Sequence, residues 1–108
     1  MGGWIGVDLD GTLAEYDQWR GIEHIGLPIP AMAFRVKNWL ANDHDVKIFT
    51  ARACAPEAIP FIEAWCVQHF GRKLPVTNVK DFAMIELWDD RAIQVEANTG
   101  KRMDGRPG

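Results

Sequence analysis

Residues 4–16 read WIGVDLDGTLAEY, and the fold turns on how this stretch is understood. Trp4, Ile5, Gly6 and Val7 form a run with no polar face. Asp8 and Asp10 follow one residue apart, and Gly11 and Thr12 come directly after. An apolar run of this length suits a strand covered on both faces, which is the habit of parallel sheets packed under helices. Residues two apart on an extended backbone share a side, so Asp8 and Asp10 converge if strand geometry persists that far. Two close carboxylates repel, and one pKa rises unless a cation sits between them. A hard divalent ion with oxygen ligands is the simplest remedy, and Mg²⁺ suits a few carboxylates plus phosphate oxygens and water. Gly11 allows a sharp turn whose backbone N–H groups can face an anion.

Strands and helices alternate along the rest of the chain. Residues 14–30 are irregular, with Gly21, Gly26, Pro28 and Pro30. A helix is expected from about Ala31 to Ala41, with Met32, Val36, Trp39 and Leu40 on one face. NDHD (42–45) breaks it, and VKIFT (46–50) reads as the second strand. Pro56 stands near the start of a second helix, whose stripe is Ile59, Ile62, Cys66 and Phe70 and whose stop is Gly71. LPVTNV (74–79) supplies a short third strand, AMIELW (83–88) a fourth and AIQVEA (92–97) a fifth. This βαβ pattern predicts an α/β fold: a three-layer, Rossmann-like parallel sheet with right-handed crossovers, in a single domain over residues 1–108. Ligands of such sheets bind at the carboxyl ends of the strands.

Those ends carry the chemistry. The second strand runs into FTAR, where Thr50 offers a hydroxyl donor to a phosphate oxygen. The fourth runs into WDDR, which adds Asp89 and Asp90. Lys80, in TNVKD, is a point charge suited to a phosphoryl group. Asp8, Asp10, Thr50, Lys80, Asp89 and Asp90 together make a phosphoryl-transfer set of metal ligands, cationic clamp, hydroxyl donor and carboxylate nucleophile. For each there is a plainer role: Asp8 and Asp10 as a solvated pair of acids at a strand end, Thr50 as a turn cap, Lys80 as a surface lysine, Asp89 and Asp90 as a strand terminator. Arg52 and Arg91 read as surface or ion-pair residues. His24, His44 and His69 lack ligand spacing, with His69 beside the apolar stripe of its helix. Trp39 and Trp65 read as core, and Trp19 as packing over the presumed site or as a stacking surface for substrate.

In this order and spacing the motifs resemble the haloacid dehalogenase (HAD) superfamily of phosphohydrolases. VDLDGTL matches the family's first motif, Thr50 in IFTAR the second, Lys80 the third and LWDDR the fourth. The DLDGTLA and DDR pieces are also similar to the 3'-phosphatase domain of polynucleotide kinases. The resemblance implies a Mg²⁺-dependent phosphatase in which Asp8 attacks phosphorus to give an aspartyl-phosphate. Asp10 then protonates the leaving group and activates the hydrolytic water. Thr50 and Lys80 would hold the phosphoryl group. Asp8, the Asp10 backbone carbonyl and Asp90 would hold the metal, with Asp89 as a further ligand or a neighbour. Two departures from the family stand out. Only residues 14–30 occupy the place of a cap domain, which is room for a loop or small flap. Lys80 lies only nine positions before Asp89, too close for an intervening helix; Lys73 and Arg52 are the nearest substitutes.

Composition sets the outer limits. Hydrophobic residues make up 47% and charged residues 25% of the 108-residue chain, an ordinary globular balance. The formal net charge of -3 gives no general attraction to nucleic acid or anionic membranes. Cys54 and Cys66 have no metal-type spacing, so a cytoplasmic setting with reduced thiols is the default. No apolar run reaches the length of a membrane span. The expected partner is a phosphorylated small molecule or a nucleic-acid 3'-phosphate end, and the open site would also suit a lid from a second subunit in a homo-oligomer. Two other functions compete. One is a non-catalytic or weakly active metal-binding regulatory module with a HAD fold. The other is a receiver-like phosphoacceptor domain, against which Asp10 argues as an acid/base.

Overall fold

The computed structural model describes residues 2–108. Strand β1 spans Trp4–Val7, helix α1 Pro30–Ala41, β2 Asp45–Phe49, α2 Ile59–Phe70, β3 Val76–Thr77 and β4 Met84–Trp88. Short 3-10 turns at Ala51–Cys54 and Pro56–Ala58 lead from β2 into α2. Among the described residues the sheet has four strands in the order β3-β2-β1-β4, all parallel. The fold is therefore α/β and compatible with a Rossmann-like arrangement. The chain steps outward from β1 through β2 to β3, then returns to place β4 on the other side of β1. That reversal puts β1 beside the switch point of the sheet, where α/β folds take ligands.

Both helices pack on one face. Ile5 and Val7 of β1 and Val46 and Ile48 of β2 form a continuous core with Met32, Ala33 and Val36 of α1 and Ile62, Trp65 and Cys66 of α2. Val36, Ile48 and Ile62 are fully buried, so truncating either isoleucine to alanine costs about 2–5 kcal/mol. Helix α1 starts with Pro30 in its first turn, and α2 stops at Gly71, whose φ is 80°.

The opposite face carries no helix among the described residues, so the elements make two layers rather than the three expected. The reason is length: residues 78–83, which join β3 to β4, are too few to form a helix and cross the sheet. Trp4 covers this face instead. Gly6 makes room for it, since a Cβ there would meet Met84 Cε at 2.9 Å and the Trp4 ring at 3.1 Å. Lys47 Nζ lies 4.5 Å from the Trp4 ring centre, Phe49 stacks at 6.4 Å, and Trp4 Nε1 donates to Asp81 Oδ1 at 2.9 Å. Trp4 is thereby only 4% exposed.

The expected fifth strand, residues 92–97, does not join the sheet. It folds on itself: Val95 forms an isolated antiparallel bridge with Arg102, Glu96 N–H donates to the Lys101 carbonyl and Met103 N–H to that of Gln94. Asn98 and Gly100, with φ of 66° and 77°, turn the chain locally. Ile93 and Val95 stay about half exposed, so the segment lacks the buried face that would anchor it to the sheet.

Candidate functional site

The carboxyl ends of β1, β2 and β4 open into a cavity of about 820 Å³. Asp8, Asp10, Thr50, Asp89 and Asp90 all line it, so five of the six expected site residues meet there. The sixth does not. Lys80 is exposed, two residues beyond Asn78 in the cavity wall, and is not part of that wall. The alternative cation Lys73 sits at the amino ends of the strands, beside Trp4, Asp45 and Val46.

Backbone geometry sets the acids in place. Asp8 N–H donates to the Trp88 carbonyl at 2.9 Å, which extends the β1–β4 pairing one residue past the strand and brings Asp8 beside Asp89 and Asp90. One carboxylate oxygen from each of the three lies within 4.8 Å of the others. The loop after β1 then tightens around Leu9, whose carbonyl accepts from the N–H groups of Thr12, Leu13 and Ala14. Gly11 N–H donates to the Ala14 carbonyl. The amides of Gly11, Thr12 and Leu13 thus serve the loop itself and do not form the anion cradle expected of them.

Gly11 is required for another reason. Its φ is 90°, and a Cβ would stand 2.6 Å from Asp90 Oδ2. Only glycine lets the loop and the Asp90 carboxylate come so close. Thr12 locks that approach: its hydroxyl accepts from Asp90 N–H at 2.9 Å and lies 3.0 Å from Asp90 Oδ1 and 3.3 Å from Asp8 Oδ2 as donor. Asp89 Oδ1 accepts from Arg91 N–H at 2.7 Å, which fixes that side chain. Thr12 is a site residue that the sequence expectation does not include, although it stands inside the DLDGTL motif.

The electrostatics are strained. Partial burial, reinforced by the hydrogen bond to Asp90 and by the charges of Asp89 and Asp90, pushes the Asp8 carboxyl up to about 7; the bond from Thr12 works the other way. The donor set suits a hard cation, because oxygens coordinated at about 2.0–2.6 Å to one ion lie at most about 4–5 Å apart. Asp8, Asp89 and Asp90 could hold such an ion, which would relieve their repulsion.

Asp10 faces elsewhere. Its carboxylate receives a two-pronged ion pair from Arg52, with Nε to Oδ2 and Nη2 to Oδ1 both at 2.8 Å. The Arg52 side chain is 6% exposed and that of Asp10 21%. Trp19 lies over the guanidinium, its ring centre 4.9 Å from Cζ. The 3-10 turn after β2 places Arg52: Thr50 is the N-cap, and its Oγ1 accepts from Arg52 N–H at 3.2 Å. Capping therefore leaves the Thr50 hydroxyl proton free to donate into the cavity. Arg52 is the buried cation of this wall. The sequence offered one signal for it: its place two residues after Thr50, at the end of a strand that stops at the site.

The irregular segment 14–30 contributes one side of the cavity. Tyr16, Trp19 and Ile22 contribute to the lining. Irregular as it is, the segment is tied down: Glu15 N–H donates to the Leu27 carbonyl, Ile29 N–H to that of Leu13 and Trp65 Nε1 to that of Gly26.

Set against family models, curated proteins and solved structures, the chain matches none. Among the described residues no helix is long and apolar enough to cross a membrane.

Proposed function

We propose that the protein is a divalent-cation-dependent phosphohydrolase of the haloacid dehalogenase type, working from a reduced HAD-like core without a second helical layer. The observation that carries this reading is the meeting of Asp8, Asp10, Thr50, Asp89 and Asp90 in one cavity at the strand carboxyl ends. Asp8, Asp89 and Asp90 are the side chains to hold Mg²⁺, with the Asp10 carbonyl as the backbone ligand that the resemblance suggests. The ion would neutralise charge on the transferring group and keep Asp8 ionised.

Asp8 is then the nucleophile. Its carboxylate oxygen bonds to phosphorus as the ester oxygen leaves, and Asp10 gives that oxygen its proton. Asp10, now ionised, takes a proton from water, which attacks the aspartyl-phosphate and releases phosphate and free Asp8. Thr50 donates its hydroxyl to a phosphoryl oxygen, and a cation, Lys80 by resemblance, completes the clamp. The cavity is of the size that takes a small-molecule ligand, and the absence of a cap also leaves room for a 3'-phosphorylated nucleic-acid end. The first screen is an aryl phosphate, sugar phosphates, nucleotides and a phosphorylated oligonucleotide, each with Mg²⁺ and with chelator. Turnover that survives chelator, or that is equal in Asp8→Asn, refutes the reading.

One observation favours a second function, a metal-binding regulatory module with little turnover. Asp10 is held on Arg52 rather than free beside Asp8. Hydrolysis of any ester in the screen at a rate abolished by Asp10→Asn excludes it.

A further inference from the structure

Arg52 is a buried guanidinium with one hand empty. Nε and Nη2 are satisfied by Asp10, but Nη1 has no hydrogen-bond partner among the described residues and is shut off from solvent. An orphaned buried donor costs roughly 1–3 kcal/mol, so its persistence in a cavity wall calls for a ligand. The ligand must offer an acceptor, since guanidinium only donates, and an anion answers its charge best. It must also compete for a fork that already grips a carboxylate. A phosphoryl dianion has more charge than one carboxylate and presents several oxygens to the planar fork. Trp19, which lies on the guanidinium and is 55% exposed, sits on the irregular segment and can be displaced without opening the core.

We propose that Arg52, rather than Lys80, is the cationic clamp, and that it works by exchange. In the empty site it holds the Asp10 carboxylate under Trp19. When a phosphoryl group enters, Nη1 and Nη2 turn to its oxygens, and Asp10 is released towards the leaving group. The freed carboxylate takes a proton from water or from the entering phosphate monoester before it acts as the acid, so one contact couples phosphoryl binding to the release of Asp10. This deepens the phosphohydrolase reading and rests on it for the identity of the anion.

The test is a double-mutant cycle read by binding, with no turnover needed. Inorganic phosphate is titrated calorimetrically into the full chain with Mg²⁺, using wild type, Asp10→Asn, Arg52→Gln and the double variant. Exchange predicts that Asp10→Asn, freed of the competing carboxylate, binds phosphate several-fold to about tenfold tighter, while Arg52→Gln binds at least about tenfold weaker. It further predicts that Asp10→Asn gives no gain once Arg52 is Gln. If removing the Asp10 charge acted through space alone, the gain would persist in the double variant, and that result overturns the proposal. So does phosphate binding that is unchanged in Arg52→Gln, lost only in Lys80→Ala, or undetectable in wild type. Should Arg52→Gln fail to fold, Arg52→Lys replaces it in the cycle; it keeps the charge but not the fork, and the Asp10→Asn gain must shrink. Phosphate should also shift the emission of wild type but not of Trp19→Phe. A cycle that obeys these rules in a protein that hydrolyses no ester would uphold the Arg52 site and sink the phosphatase. An active enzyme without the coupling would do the reverse.

Discussion

At the carboxyl ends of the strands, Asp8, Asp10, Asp89 and Asp90 crowd around one cavity, and only Arg52 and Arg91 of its lining answer them. At the amino ends, a smaller cavity of about 390 Å³ is walled by His44, Lys47, Arg72 and Lys73 with the single acid Asp45. The same strands thus carry excess negative charge at one end and excess positive charge at the other. They differ in how that charge is housed. Lys47 is spread over the face of Trp4, and Lys73 is open to water, so the amino end accommodates its charge in solvent and on an aromatic ring. At the carboxyl end the carboxylates press on one another, and Asp8 is driven up to about 7. A carboxyl shifted this far by burial and by like-charged neighbours in a cavity is a candidate functional group. The largest expected effect follows from removing it. Asp8→Asn should lower aryl-phosphate turnover by roughly three orders of magnitude or more, because in the proposed mechanism it deletes the nucleophile. The same substitution should raise the thermal midpoint in chelator, because it ends the repulsion. Losing both activity and stability would mean that Asp8 serves the fold.

Gly11→Ala attacks the same end through the backbone. The new methyl would fall 2.6 Å from Asp90 Oδ2 at a φ of 90°. A side chain in that conformation costs about 1–3 kcal/mol, and Asp90 must move off the Thr12 hydroxyl. Urea unfolding should show the loss of stability, and apparent Mg²⁺ affinity from activity titrations should fall with it. Unchanged metal dependence would detach Asp90 from the metal.

The next effect is a pH dependence confined to this end. A carboxyl raised in the folded state stabilises the fold while protonated. Its contribution is complete below the ordinary value of 3.8 and is lost as pH climbs through about 7. In chelator the Asp8 contribution should therefore decline across that window, and Asp8→Asn should remove that part of the slope. Added Mg²⁺ should raise the thermal midpoint most above neutrality, where Asp8 is ionised, and least near pH 4. Thermal melts across the window with and without Mg²⁺ give the answer.

What could be read from sequence alone divides along physical lines. The strands β1, β2 and β4 and both helices were legible because apolar periodicity reports burial, and the acids at their ends were legible because they follow those strands directly. The second helical layer and the fifth strand are not found among the described residues. Both depended on chain length and long-range docking, and residues 92–97 carry an alternating pattern that a local turn satisfies as well as a sheet. Arg52 was visible as a residue but not as a buried one. Nothing local in FTAR shows that Asp10, forty-two positions earlier, closes on it and that Trp19 covers it. Thr12 was overlooked for the same reason: its partner Asp90 is seventy-eight positions away.

The smallest expected effect is the sharpest control on the comparison. Lys73 precedes Leu74 and the start of β3, at the positive end, and its side chain is exposed. A surface lysine of this kind changes stability by no more than about 0.5 kcal/mol when removed. Lys73→Ala should leave turnover, Mg²⁺ dependence and phosphate affinity as they are in wild type. The sequence admits Lys73 as a substitute clamp, but the parallel sheet puts the length of β2 between it and Thr50. A fall in turnover with Lys73→Ala would mean that the two ends are coupled through β2 and β3. Equal kinetics, set beside a large loss in Arg52→Gln, would confine the chemistry to the end where the carboxylates crowd.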